Sequence, residues 1–114
     1  MKTKTNTTNI GQYFESKATD FLISDRFTII ERNYHAKKLG EIDIIASKNG
    51  VYHFVEVKSG NDFEAIYNIT PSKLSKLYRS INYYLKEKNL DVAYCIDAII
   101  FNGEDMEYLE NITL

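Results

Sequence analysis

A chain of 114 residues has room for one domain around one hydrophobic core. Hydrophobic residues make up 44 % and charged residues 26 %, an ordinary globular balance that excludes a disordered chain. A net charge of -2 argues against a protein that coats nucleic acid through a general positive excess, and a single cysteine excludes an internal disulfide.

The opening residues Met1 to Asn6 are polar where a signal peptide would turn apolar, and no long uncharged apolar segment follows. A soluble cytoplasmic domain without a membrane partner is expected, with residues 1–8 as a flexible lead. Ile10, Tyr13, Phe14, Ala18, Phe21 and Leu22 recur at three- and four-residue steps, which predicts an amphipathic helix over 10–22. Phe27 to Ile30 reads as a short strand, and Arg32, His35, Lys37 and Lys38 as a basic loop before Gly40. Glu41 to Ala46 and Val51 to Lys58 are rich in β-branched and aromatic residues, and Asn49-Gly50 between them tolerates positive φ, so the two runs form an antiparallel hairpin.

Thr70-Pro71 supplies an N-cap and a first-turn proline for a second helix, whose stripe of Leu74, Leu77, Tyr78, Ile81 and Leu85 ends near Asn89. Strands over Val92 to Phe101 and Met106 to Ile112, joined by Asn102-Gly103, complete the chain. Cys95, inside the apolar run Tyr94-Cys95-Ile96, reads as a buried, inert thiol. The order α-β-β-β-α-β-β predicts an α/β domain with helices flanking a mixed sheet.

If Asn49 and Gly50 are the central turn residues, Asp43 lies opposite Glu56 and Glu41 opposite Lys58. Alternation puts Glu56 and Lys58 on one face, so Asp43, Glu56 and Lys58 are expected in a single cavity. Two carboxylates about 4 Å apart repel by about 4 kcal/mol near a protein surface, which invites a divalent cation. His53 points to the opposite face, His35 lies in the basic loop, and no His or Cys stands at ligand spacing, so Mg²⁺ or Mn²⁺ is favoured over Zn²⁺. The competing reading is a solvated charged face in which Glu41 and Lys58 form an ordinary cross-strand pair.

Asp43, twelve residues, Glu56, one residue and Lys58 resemble the PD-(D/E)XK nuclease signature, with Ile42 at the position of its proline. Gly11, Glu15, Ala18 and Asn33, the block Gly40-Glu41-Ile42-Asp43-Ile44-Ile45-Ala46 and the block Phe54-Val55-Glu56-Val57-Lys58 are similar to the bacterial YraN-like family over nearly the whole chain. The resemblance implies a restriction-endonuclease-like fold related to archaeal Holliday-junction resolvases, and a Mg²⁺- or Mn²⁺-dependent endonuclease acting on branched or single-stranded DNA. It implies metal ligation by Asp43, Glu56 and the Val57 carbonyl, with Lys58 orienting the attacking water. Glu15 would add a catalytic acid from the first helix. Lys73 matches a phosphate-contacting position on the second helix, and the basic loop adds Lys37 and Lys38 as further candidate contacts to nucleic acid. A homodimer is implied by resolvase-like relatives alone. Position 60, where the family usually carries arginine, is Gly60, which keeps open a catalytically degenerate nucleic-acid-binding or adaptor domain on the same fold.

Overall fold

In the computed structural model the backbone is described for residues 2–60 and 69–112, and side chains from Ile10 onward within them. The expected order is observed: α1 (Lys2–Ser24), β1 (Thr28–His35), β2 (Glu41–Lys48), β3 (Val51–Gly60), α2 (Pro71–Glu87), β4 (Tyr94–Asn102) and β5 (Asp105–Leu109). The five strands form one sheet in chain order. Every neighbouring pair is antiparallel except β3 and β4. That parallel pair needs a crossover, and α2 supplies it.

Local chemistry explains most boundaries. Asn49 and Gly50 take φ of 53° and 81°, and Lys48 pairs with Val51, as a two-residue hairpin turn requires. The Thr70 side chain caps α2 by accepting from the Lys73 N–H at 3.2 Å, and Pro71 occupies the first turn, where no N–H is needed.

The two helices cover opposite faces of the sheet. Leu22 and Ala18 of α1 pack with Phe27, Ile44, Val55 and Ile99. Leu77, Ile81 and Tyr84 of α2 pack with Ile42, Ile45, Phe54 and Ile96. The antiparallel β1–β2–β3 meander therefore forms a platform between two apolar layers.

Two boundaries differ from the sequence expectation. Helix α1 starts at Lys2 rather than Ile10; the side chains of residues 1–9, on which the expected flexible lead falls, lie outside the described set. Strand β1 runs to His35, so Arg32 and His35 belong to a strand, and the loop shrinks to residues 36–40. As an edge strand, β1 is mostly exposed, and its polar Glu31-Arg32-Asn33 carries no apolar alternation to betray it.

One irregularity shapes the chemistry. Ile44 and Ala46 face α1, yet Ile42, which strict alternation would put beside them, faces α2. On β1, Tyr34 opposite Ile42 faces α2, whereas Arg32 opposite Ile44 reaches Glu15 on α1. Both strands thus change face across Asn33 and Asp43, and Asn33 absorbs the change with a φ of 54°.

Candidate active site

The β2–β3 ladder runs from Lys48–Val51 to Ile44–Val55, the register expected from the turn. Continued by one step, it sets Asp43 across from Glu56. There the backbone pairing ends, and the Asp43 Oδ2 accepts the Val57 N–H at 2.9 Å in place of a main-chain carbonyl. A residue's N–H and C=O point to the same edge of a strand, so the Val57 carbonyl faces the same opening.

The face change divides the expected single cavity in two. Asp43 lines a cavity of about 400 Å³ on the α1 side with Glu15, Asn33, His35, Val57 and Ser59. Glu56 and Lys58 line a cavity of about 240 Å³ on the α2 side with Lys73, Lys76 and Ser80. Among the described residues, Glu41 alone lines both. The expectation that Asp43 shares one cavity with Glu56 and Lys58 is therefore corrected: unbroken alternation does not hold at Asp43, and the two groups approach the opening from opposite sides.

Each side holds its charges differently. On the α2 side Lys58 Nζ lies 3.3 Å from Glu56 Oε2, and both side chains are about three-quarters covered. This contact along one strand stands where a Glu41–Lys58 cross-strand pair was the competing expectation. Lys73 sits near them across the same cavity. On the α1 side Glu15 is buried, and its Oε1 accepts from Arg32 Nη2 at 3.1 Å and from Asn33 Nδ2 at 2.9 Å. It is a fixed acid rather than a solvated helical glutamate. Lys37 and Lys38 are exposed in the short loop and, among the described residues, line neither cavity.

Asp43 is the strained member of this set. Burial raises its carboxyl to about 7, Glu56 adds to the rise, the Val57 amide opposes it, and Glu15 and Glu41 push it further up.

A second constellation escaped the sequence reading. His53 Nδ1 lies 2.6 Å from Asp97 Oδ2 and 3.2 Å from Cys95 Sγ. Cys95 Sγ lies 3.4 Å from Asp97 Oδ1, which also accepts the Asn111 N–H, and the Tyr108 hydroxyl donates to Oδ2 at 2.7 Å. His53 does point away from Glu56 as expected, and although no His and Cys stand at ligand spacing along the sequence, the parallel pairing of β3 with β4 sets His53 beside Cys95. Cys95 is half-buried rather than fully buried, and desolvation with Asp97 nearby pushes its thiol up to about 12, so it is inert as a nucleophile.

Fold and site together define a small α/β domain with an acidic, lysine-bearing opening where its central antiparallel ladder comes apart. A family model described as uncharacterised protein family UPF0102 matches residues 14–101. The chain belongs to that family, the one its YraN-like blocks pointed to. A UPF0102 protein of Sulfurovum sp. (strain NBC37-1) is 53 % identical over 105 residues, covering 91 % of this chain and 93 % of the relative. One of Wolinella succinogenes is 56 % identical over 94 residues, covering 82 % and 86 %, and one of Helicobacter hepaticus is 50 % identical over 109 residues, covering 96 % and 98 %. Among the described residues no helix is long and apolar enough to cross a membrane.

Proposed function

We propose that this domain is a Mg²⁺- or Mn²⁺-dependent endonuclease of the PD-(D/E)XK type, acting in the cytoplasm on branched or single-stranded DNA. The observation that carries the reading is the Asp43 carboxylate on the Val57 amide, at a ladder end flanked by Glu56 and Lys58. The signature resemblance assigns its two acids and its lysine to these three residues.

The donor set fits a hard divalent ion: Asp43, Glu56 and the Val57 carbonyl offer oxygen alone, and such an ion would offset the burial and the nearby Glu56 that raise the Asp43 carboxyl. When bound, the ion would polarise the phosphate and favour the hydroxide form of its water. Lys58, 3.3 Å from Glu56, donates to a phosphate oxygen and orients the attacking water. Glu15, held by Arg32 and Asn33, supplies a further acid from the α1 side. Lys73 contacts the adjoining phosphate, and Lys37 and Lys38 meet the DNA from the exposed loop. A homodimer would present two such sites to a symmetric junction.

A specific observation favours a second reading, a nucleic-acid-binding or adaptor domain that has lost cleavage. Asp43 lines a different cavity from Glu56 and Lys58, and Gly60 offers no side chain for a phosphate. Incubation with linear, single-stranded and branched DNA in Mg²⁺ or Mn²⁺ separates the two. Cleavage by the wild type that is lost in Asp43→Ala supports the nuclease. Binding without cleavage on every substrate overturns it.

A further inference from the structure

We propose that His53, Cys95 and Asp97 form a zinc site, separate from the acidic opening, that ties β3 to β4. The proposal does not depend on the nuclease reading.

The three side chains meet for a simple reason. His53 and Cys95 are direct partners in the parallel β3–β4 register, and Asp97, two residues beyond Cys95, shares its face. Their ligand atoms all lie within 4.8 Å of one another. Sulfur, imidazole nitrogen and carboxylate oxygen are the donors that tetrahedral zinc takes, whereas an oxygen-only set suits Mg²⁺ and Mn²⁺.

The spacing is close to what the ion needs. Zn–S of about 2.3 Å with Zn–N and Zn–O of about 2.0–2.2 Å sets tetrahedral edges of about 3.4–3.6 Å. Cys95 Sγ already lies 3.2 Å from His53 Nδ1 and 3.4 Å from Asp97 Oδ1. The remaining contact, 2.6 Å between Nδ1 and Asp97 Oδ2, is a hydrogen bond that gives way when Oδ1 becomes the ligand oxygen. Ligating carboxylates are held by hydrogen bonds of their own, and here Tyr108 and the Asn111 amide grip Asp97 from β5 and the segment after it. Asp97 and His53 are buried while Cys95 is partly exposed, so the cluster lies just beneath the surface on the Cys95 side.

Protons balance as follows. The thiol proton leaves to solvent as the Zn–S bond forms, and the hydrogen between Nδ1 and Asp97 moves to Nε2 or to solvent as Nδ1 takes the metal. Binding therefore strengthens as pH rises.

The test uses the whole chain stripped by chelator and titrated with Co²⁺, which reports a thiolate ligand by a charge-transfer band in the near ultraviolet. One equivalent should produce that band with tetrahedral visible absorption, and Zn²⁺ should displace it. Cys95→Ser should lose the band, whereas Asp43→Asn should keep it. Protection of Cys95 from a thiol-modifying reagent by one equivalent of Zn²⁺ gives the same answer on the wild type if the variant fails to fold. No near-ultraviolet band, a band that survives Cys95→Ser, or unchanged thiol labelling overturns the proposal. So does Co²⁺ binding that disappears only in Asp43→Asn, which would put the ion in the acidic cavity.

Discussion

Replacing Asp43 by asparagine keeps the shape and the acceptor for the Val57 N–H but removes one charge, so its pH dependence isolates that charge. Burial, with Glu56 nearby, raises the carboxyl to about 7 in the folded protein against 3.8 ordinarily. Between those values the folded state holds a proton that the unfolded chain has lost, so this group makes the protein less stable as pH rises through the window. The full penalty above pH 7 is about 4 kcal/mol, and the part that develops between pH 5 and pH 8 is about 2–3 kcal/mol. Asparagine carries none of it. Urea unfolding of both proteins in chelator at pH 5 and pH 8 should show the variant gaining about 2–3 kcal/mol on the wild type over that interval. Thermal melts should show the same gain as about 10 °C. Two curves that run parallel across this range would mean that Asp43 is not the strained acid, and the case for a cation at the opening would fall with it.

Metal should reverse the same penalty. At pH 8, Mg²⁺ or Mn²⁺ at a hundred times its Kd should stabilise the wild type by about 2.7 kcal/mol and Asp43→Asn by far less, which melting curves with and without chelator measure. Lys58→Met keeps most of the side chain's bulk without its charge, so it should abolish cleavage while circular dichroism and melting stay close to wild type; unchanged turnover would remove Lys58 from the mechanism. Asp97→Ala leaves four donors around a buried position without their shared acceptor, and should cost about 3–5 kcal/mol in urea unfolding whether or not the site takes zinc.

Much of the fold was legible because its signals are local. Asn49-Gly50 fixed the β2–β3 register to the residue, and Thr70-Pro71 marked the start of α2. The division of the acidic site was not legible. Ile42, Asp43 and Ile44 read as a regular alternation, and only the packing of Ile42 under α2 and Ile44 under α1 shows that the strand turns over between them. Half of β1 was hidden for a related reason, since an exposed edge strand needs no apolar face. Arg32 and His35 consequently resemble a loop in sequence, although one fixes Glu15 and the other lines its cavity. The histidine, cysteine and buried aspartate could be joined only by knowing which residue of β4 meets His53, and that is set by how α2 carries the chain across the sheet.

That crossover also imposes an order of assembly. The acidic opening draws Asp43, Glu56 and Lys58 from a hairpin closed by two residues, a contact that forms on the microsecond scale of hairpins. His53 and Cys95 stand 42 residues apart and meet only after α2 has packed and β4 has found its parallel partner, the kind of non-local pairing that slows folding. During synthesis all three signature groups of the opening are added to the chain before β4. Until β4 docks, β3 has one free edge, with Phe54 and Val55 beside it, so the nascent chain's aggregation hazard lies in the interval between Gly60 and Tyr94.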